Sequence, residues 1–282
     1  MTLLHQLDGG GWIVGDRTGK ISLLAQGDWC WSLQPPMPIR DVAKAYFARS
    51  FCTLGSTQTG AVVSGPGVYG FDLRSGEISW SRRLPFYWGF FPSRPVAVAE
   101  ALGCEFWISY DDGKIEVLSA DGHRLARLHD GLSPFQMFPV GDGSVLAGSS
   151  GYGIGLWDTH TRKRVWHEPR RERILAFANA RAARSVALLT LDYIEVLDLD
   201  SGVATRHEWA GGLPTLAVTT DGKMLAAGAH GGLYVCAVGV ESPAFVEIED
   251  GKVTSLGFNE AGDRLHYGTS TGKVGVLALE TD

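Results

Sequence analysis

The chain has 282 residues, 45% hydrophobic and 20% charged, with 37 Gly, 9 Trp and a formal net charge of −6. That is ample apolar material for a large core, and no run approaches the ~20 consecutive apolar residues of a membrane helix. The acidic balance argues against a domain-wide nucleic-acid footprint, and MTLLHQLDGGGW lacks the basic-then-apolar pattern of a secretory leader, so a cytoplasmic protein is expected.

In chain order the elements repeat one plan. MTLLHQ reads as an inner strand, followed by WIVG, a turn in DRTGK, ISLLA, and an outer strand that holds Trp31. The second repeat, AVVSGPGVYGFDLRSGEISW, has a Gly-containing hairpin and an outer strand ISWSR after Arg74-Ser75-Gly76. The third opens on VAVAE and continues as FWISYDDGKIEVLSADGHRL, with Asp111-Asp112-Gly113 as its tight turn. The fourth is SVLAGSSGYGIGLWDTHTRKRVW. Its Gly148–Gly153 stretch reads as a hairpin turn, because no helix N-terminus follows to cradle a phosphate. The fifth and sixth are SVALLTLDYIEVLDLDSGVAT and LAVTT…MLAAGAHGGLYVCAVGVES; the seventh is SLGFN…RLHYGTSTGKVGVLALETD.

The first apolar residue of each third strand falls at Ile21, Val68, Ile115, Ile154, Ile194, Leu233 and Val274, a spacing of 39 to 47 residues. No window keeps helical periodicity for three turns. A period near 40 filled only by strands indicates an all-β, seven-bladed β-propeller, one blade per repeat, occupying residues 1–282 as a single domain. Val274 to Leu279 is then the third strand of the last blade, and the sequence stops at Asp282. The last blade is expected to lack its outer strand.

Trp157-Asp158, Asp198 in VLDLDSG and Asp72 in FDLRSG, each after a Gly-turn hairpin, resemble WD40 repeats. Only repeat 4 carries the Trp-Asp pair and no repeat opens on Gly-His, so the hydrogen-bonded network of those residues is expected to be largely missing. VYGFDLRSGEISW is also similar to quinoprotein-type propeller repeats, in which a Trp closes the blade. Trp31, Trp80, Trp166 and Trp209 fit that place.

Catalytic chemistry finds no footing. The inner strands offer His5 and Glu100 among mostly apolar residues, and the eight His show no HxxxH or HxH spacing. There is no GxSxG, Walker loop or dinucleotide fingerprint. Cys30, Cys52, Cys104 and Cys236 lie far apart without a CxxC pair, so reduced, mostly buried thiols are expected. No cofactor and no metal site is indicated.

Two features exceed what blade building requires. The segment Phe86, Tyr87, Trp88, Phe90 and Phe91, flanked by Pro85 and Pro92, connects blades 2 and 3; its aromatics suit a partner-binding hot spot, or a plug for the channel. Residues 162–184 hold Arg162, Lys163, Arg164, Arg170, Arg171, Arg173, Arg181 and Arg184 against Glu168 and Glu172. Arg170, Arg171 and Arg173 fall in a connection on the same face as the aromatic segment and suit an acidic partner segment, or are plain solvated surface. A third candidate is the edge of the last blade at Val274, Val276 and Leu277, open to a strand from a partner or a second copy.

The sequence therefore points to a non-enzymatic scaffold that binds another protein or peptide segment, as a subunit of a larger complex. The alternative is a small-molecule hydrolase or lyase with its site at the central channel. A nucleic-acid-associated propeller using the Arg block ranks last, no membrane partner is expected, and the oligomeric state is left open.

Overall fold

The computed structural model describes residues 3–7, 11–16, 20–25, 28–34, 48–54, 57–64, 67–83, 93–101, 104–129, 132, 135–140, 143–149, 153–180, 182–208, 215–240, 243–249 and 251–279. Among these there is no helix, and every regular element is a β-strand. The strands form seven small antiparallel sheets, the blades of a seven-bladed β-propeller. None of the described residues forms a helix long and apolar enough to cross a membrane.

The chain divides into two compact units, Thr2–Arg170 and Arg171–Asp282. In the first, sheet 1 comprises β1 (Leu3–Gln6), β2 (Trp12–Gly15), β3 (Ile21–Ala25) and β4 (Asp28–Leu33). Sheet 2 comprises β5 (Ala48–Leu54), β6 (Thr59–Ser64), β7 (Gly67–Asp72) and β8 (Ile78–Arg83). Sheet 3 holds β9 (Pro95–Ala101), β10 (Glu105–Tyr110), β11 (Lys114–Ser119) and β12 (Arg124–His129). Sheet 4 holds β13 (Gln136–Val140), β14 (Ser144–Ser149), β15 (Gly153–Asp158) and β16 (Lys163–Glu168).

In the second unit, sheet 5 is β17 (Ala176–Ala180), β18 (Ser185–Leu189), β19 (Tyr193–Asp198) and β20 (Ala204–Glu208). Sheet 6 is β21 (Leu216–Val218), β22 (Met224–Ala229), β23 (Gly232–Ala237) and β24 (Ala244–Glu247). Sheet 7 has three strands among the described residues: β25 (Val253–Phe258), β26 (Arg264–Thr269) and β27 (Val274–Ala278).

Each sheet is a meander, so each strand pairs with its neighbour in sequence and only short turns are needed. β14 and β15 pair antiparallel from Ser144↔Asp158 to Ser149↔Gly153; residues 150–152 between them lie outside the described residues. In sheets 2, 3 and 5 the second and third strands are buried along nearly their whole length, as in β10 and β11. Both faces of such a strand are covered by neighbouring sheets, which selects continuous apolar runs over alternation. The outer strands β12, β16 and β20 alternate exposed and half-buried residues.

The cores lie between successive sheets. Ile21 packs with Phe51, Val62, Tyr69 and Phe71 of sheet 2, and Val68 packs with Val98, Phe106 and Leu118 of sheet 3. Ile115 meets Val145 and Trp157 of sheet 4; Ile194 meets Leu216 and Leu225 of sheet 6. In these clusters the first apolar residue of a third strand faces the following sheet, while the residues one and three further on face the preceding one.

The outer-strand tryptophans staple these layers. Trp31 and Trp80 lie opposite Leu23 and Gly70, two residues past that first apolar position. Trp31 donates Nε1–H to the Leu73 carbonyl at 2.9 Å, and Trp80 donates to the Ala120 carbonyl at 2.7 Å, each in the next sheet. The indole lies flat on the turn it caps, which leaves no room for a Cβ. At Gly122 (φ +81°) an added Cβ would come within 2.6 Å of Trp80, and at Gly76 (φ +72°) within 2.8 Å of Trp31. Trp166 holds the same register in sheet 4. In sheet 5 that place belongs to Thr205, opposite Val196; Trp209 lies outside the described residues.

Asp72, Asp158 and Asp198 share a local role. Asp72 Oδ1 accepts the N–H groups of Arg74 and Ser75, both at 2.8 Å. Asp158 accepts the Thr161 N–H at 2.6 Å, and Asp198 the Ser201 N–H at 2.7 Å. Each carboxylate folds its own turn before the outer strand. These backbone donors hold all three below the usual carboxylate range.

Candidate interaction surfaces

Of the residues singled out in the sequence, Phe86, Tyr87, Trp88, Phe90 and Phe91 lie outside the described residues. The basic block divides in an instructive way. Arg162 reaches Glu105 Oε1 at 2.7 Å, Arg170 pairs with Glu168 at 2.7 Å, and Arg184 pairs with Asp200 at 2.7 Å. The Arg170 side chain is only 9% exposed, so it serves its own unit and offers little surface to a partner. Arg171 and Arg173, in the second unit, are exposed and make no ion pair with a described residue. Spacing in sequence could not separate these cases, because the partner of Arg162 lies 57 positions away.

The edge of sheet 7 is the most distinctive surface. Ile21, Val68, Ile115, Ile154, Ile194 and Leu233 are each at most 3% exposed, whereas Val274 is 36% and Val276 53% exposed. β27 carries the apolar sequence VGVLA of a third strand but has the alternating exposure of an outer one. No described strand pairs with its far side.

The ladder shows which groups are presented. The N–H of Thr269 donates to Lys273 O and that of Leu279 to Asp263 O. Stepping along the register from these pairs, Gly275 and Leu277 turn their amides toward β26, and Val274, Val276 and Ala278 turn theirs outward. Leu277 is half-buried in the cluster with Leu233 and Leu265, so it works for the core and not for the edge.

The buried charges are matched. Glu116, 5% exposed, accepts the Tyr110 hydroxyl at 2.9 Å and lies 3.7 Å from Arg82 and 3.6 Å from Arg124. Lys114 donates to Ser93 Oγ at 3.2 Å and stands over the Tyr110 ring at 3.8 Å. Burial, with Glu116 beside it, raises the Tyr110 phenol so that it stays a donor. Glu195, fully buried at the position equivalent to Glu116, accepts from Arg206 Nε at 2.6 Å. Each buried carboxylate thus meets a guanidinium that reaches it from another strand and stays partly or largely in solvent.

Among the described residues no group of three or more His, Cys, Asp or Glu converges as a metal site. None of the four cysteines is in a disulfide, but the expectation of burial holds only for Cys52, whose thiol burial pushes up. Cys30 is exposed because it sits on the outer strand β4.

Sequence reasoning missed one place. Between sheets 5 and 6 is a shallow open cleft of about 10 Å³, lined by Ile194, His207, Glu208, Leu225, Ala227, Tyr234, Cys236 and Pro243. No protein-family model matches the chain, and no curated protein matches it.

Proposed function

We propose that the protein is a non-enzymatic interaction scaffold that takes up an extended segment of another protein along β27. The observation that carries this reading is the edge itself: three outward backbone positions, Val274, Val276 and Ala278, on a strand of third-strand composition with exposed valines. A strand added there gains main-chain hydrogen bonds, and the exposed valines gain cover. The sheets behind hold the edge in place, so little ordering entropy is lost on binding.

The exposed Arg171 and Arg173 support an acidic character in the bound segment, and the aromatic segment Phe86–Phe91 supports a second contact by composition. The reading places the protein in the cytoplasm as a subunit of a complex, with no cofactor.

Hydrogen exchange tests it. In the free protein the amides of Val274, Val276 and Ala278 exchange fast and those of Gly275 and Leu277 slowly; partner binding protects the first three. Val276→Pro removes one outward N–H while leaving the β26 ladder intact, and abolishes capture of the partner without unfolding the chain. Outward amides already protected in the free monomer, or a Val276→Pro variant that binds normally, overturn the reading. Protection that appears only as concentration rises identifies a second copy as the occupant.

A further inference from the structure

The edge strand β27 carries a chemical preference on the face it turns toward sheet 6. Leu277 lies on that face, packed with Leu233 and Val235, and Gly275 shares it because side chains two apart point the same way. Tyr267 of β26 stands directly opposite Gly275 and packs on the same cluster. A Cβ added at Gly275 would collide with Tyr267 Cζ and with its hydroxyl oxygen. The tip of the phenol therefore lies across β27, and only a glycine lets it reach the edge.

The hydroxyl arrives there with its proton unspent. Tyr110, on the second strand of sheet 3, donates at 2.9 Å to Glu116 on the third strand. Among the described residues Tyr267 makes no hydrogen bond through its hydroxyl. Its own sheet cannot supply the acceptor Tyr110 has, since β25, β26 and β27 contain no carboxylate. The exposed side chain of Lys273, one step before β27, falls on the same face as Gly275.

The other sheets show what usually meets this place from the outer strand. The residue opposite the counterpart of Gly275 is Ser32, Ser81, Arg127, His167 and Arg206 in sheets 1 to 5, and Phe245 in sheet 6. It is polar in five of the six, and its charge answers what the sheet presents. Where the third strand places a carboxylate, at Glu116 and Glu195, an arginine stands opposite, and Arg206 pairs with Glu195 at 2.6 Å. Sheet 7 presents the reverse, a phenol donor beside an ammonium.

We propose that the segment taken up along β27 runs antiparallel, like every ladder of the chain, and places a carboxylate side chain opposite Gly275 to accept the Tyr267 hydroxyl. Gly275 turns its N–H to β26, so this is a non-hydrogen-bonded pair, the kind whose Cα atoms approach to about 4.5 Å. An aspartate or glutamate spans what remains to the phenol, with Lys273 on the diagonal. β-Branched residues on either side of the carboxylate cover Val274 and Val276. The inference rests on the strand-uptake reading and adds the chemistry of the segment bound.

The probe is the peptide acetyl-Thr-Thr-Thr-Val-Glu-Val-Ser-amide, with two controls that carry glutamine or lysine in place of the glutamate. Each is titrated into the isotope-labelled full chain and followed by amide chemical shifts. Saturable shifts are expected at Val274, Val276 and Ala278 with all three, and the glutamate peptide should bind about fivefold more tightly than the glutamine one. The lysine peptide should bind most weakly. Tyr267→Phe keeps the ring and removes the donor, so it should erase the preference for glutamate over glutamine while the edge shifts persist. Edge shifts of equal affinity for the glutamate and glutamine peptides overturn the carboxylate and leave strand uptake standing. A preference that survives Tyr267→Phe, or tightest binding of the lysine peptide, also overturns it. No shift at the edge with any peptide overturns the strand-uptake reading itself, and the carboxylate with it.

Discussion

Removing the Trp80 indole is expected to uncouple sheets 2 and 3. Trp80 is half-buried, packs on Phe106 and on the Gly122 turn, and donates to a carbonyl 40 residues away. Trp80→Phe keeps most of the apolar contact and loses the N–H, leaving the Ala120 carbonyl short of a partner, which costs about 1 kcal/mol. Trp80→Ala also opens a gap. A fully buried aromatic truncation costs about 3–5 kcal/mol; the half-exposed ring and the lost hydrogen bond together place this one at about 2–4 kcal/mol. Trp29, 60% exposed on β4, is the control, and Trp29→Ala should stay within about 0.5 kcal/mol of the parent. Urea unfolding followed by far-UV circular dichroism reads all three, and the comparison holds if the denaturant slope is unchanged. A Trp80→Ala variant as stable as Trp29→Ala would refute the staple, and a Trp80→Phe variant equal to the parent would refute the hydrogen bond's share.

Three further outcomes are expected. Because the turn N–H groups lower Asp72, Asp158 and Asp198 in the folded state, their stabilisation is complete above the unfolded carboxylate value, about 3.9, and is lost as pH falls through the lower folded values. Carbon-detected titration of the three carboxyls should show midpoints below the ordinary range, and ordinary midpoints would remove the turn-capping role. Replacing Tyr87 and Trp88 together with Ala is expected to weaken partner binding by about 2–4 kcal/mol in calorimetry with the melting temperature nearly unchanged; a large loss of stability with binding intact would make the segment a structural plug. Arg171→Glu with Arg173→Glu should slow association with an acidic partner and flatten its salt dependence, whereas Arg170→Ala should act mainly on stability through Glu168; stopped-flow rates at two ionic strengths decide.

The sequence by itself determined the repeat. Seven third strands begin at, or one residue before, the first apolar residue that the repeat marks, because turn chemistry and strand patterning act over a few residues and are written locally. The Asp-containing turns and the antiparallel pairing of β14 with β15 were legible for the same reason. Exposure was decided by the tertiary structure. VGVLA reads like any other third strand, yet Val276 is 53% exposed, because burial of a strand requires neighbours some 40 residues away in sequence or absent from it. Arg170 and Arg171 are adjacent in the chain, yet the Arg170 side chain is only 9% exposed and paired with Glu168 while Arg171 stands in solvent, a difference that composition and spacing do not express. The shallow cleft between sheets 5 and 6 is lined by Ile194 of one sheet and by Leu225, Ala227 and Cys236 of the other, none of which fills it. Each is an unremarkable residue alone; their joint deficit appears only when two sheets are brought face to face, since a gap is a property of paired surfaces and not of either strand.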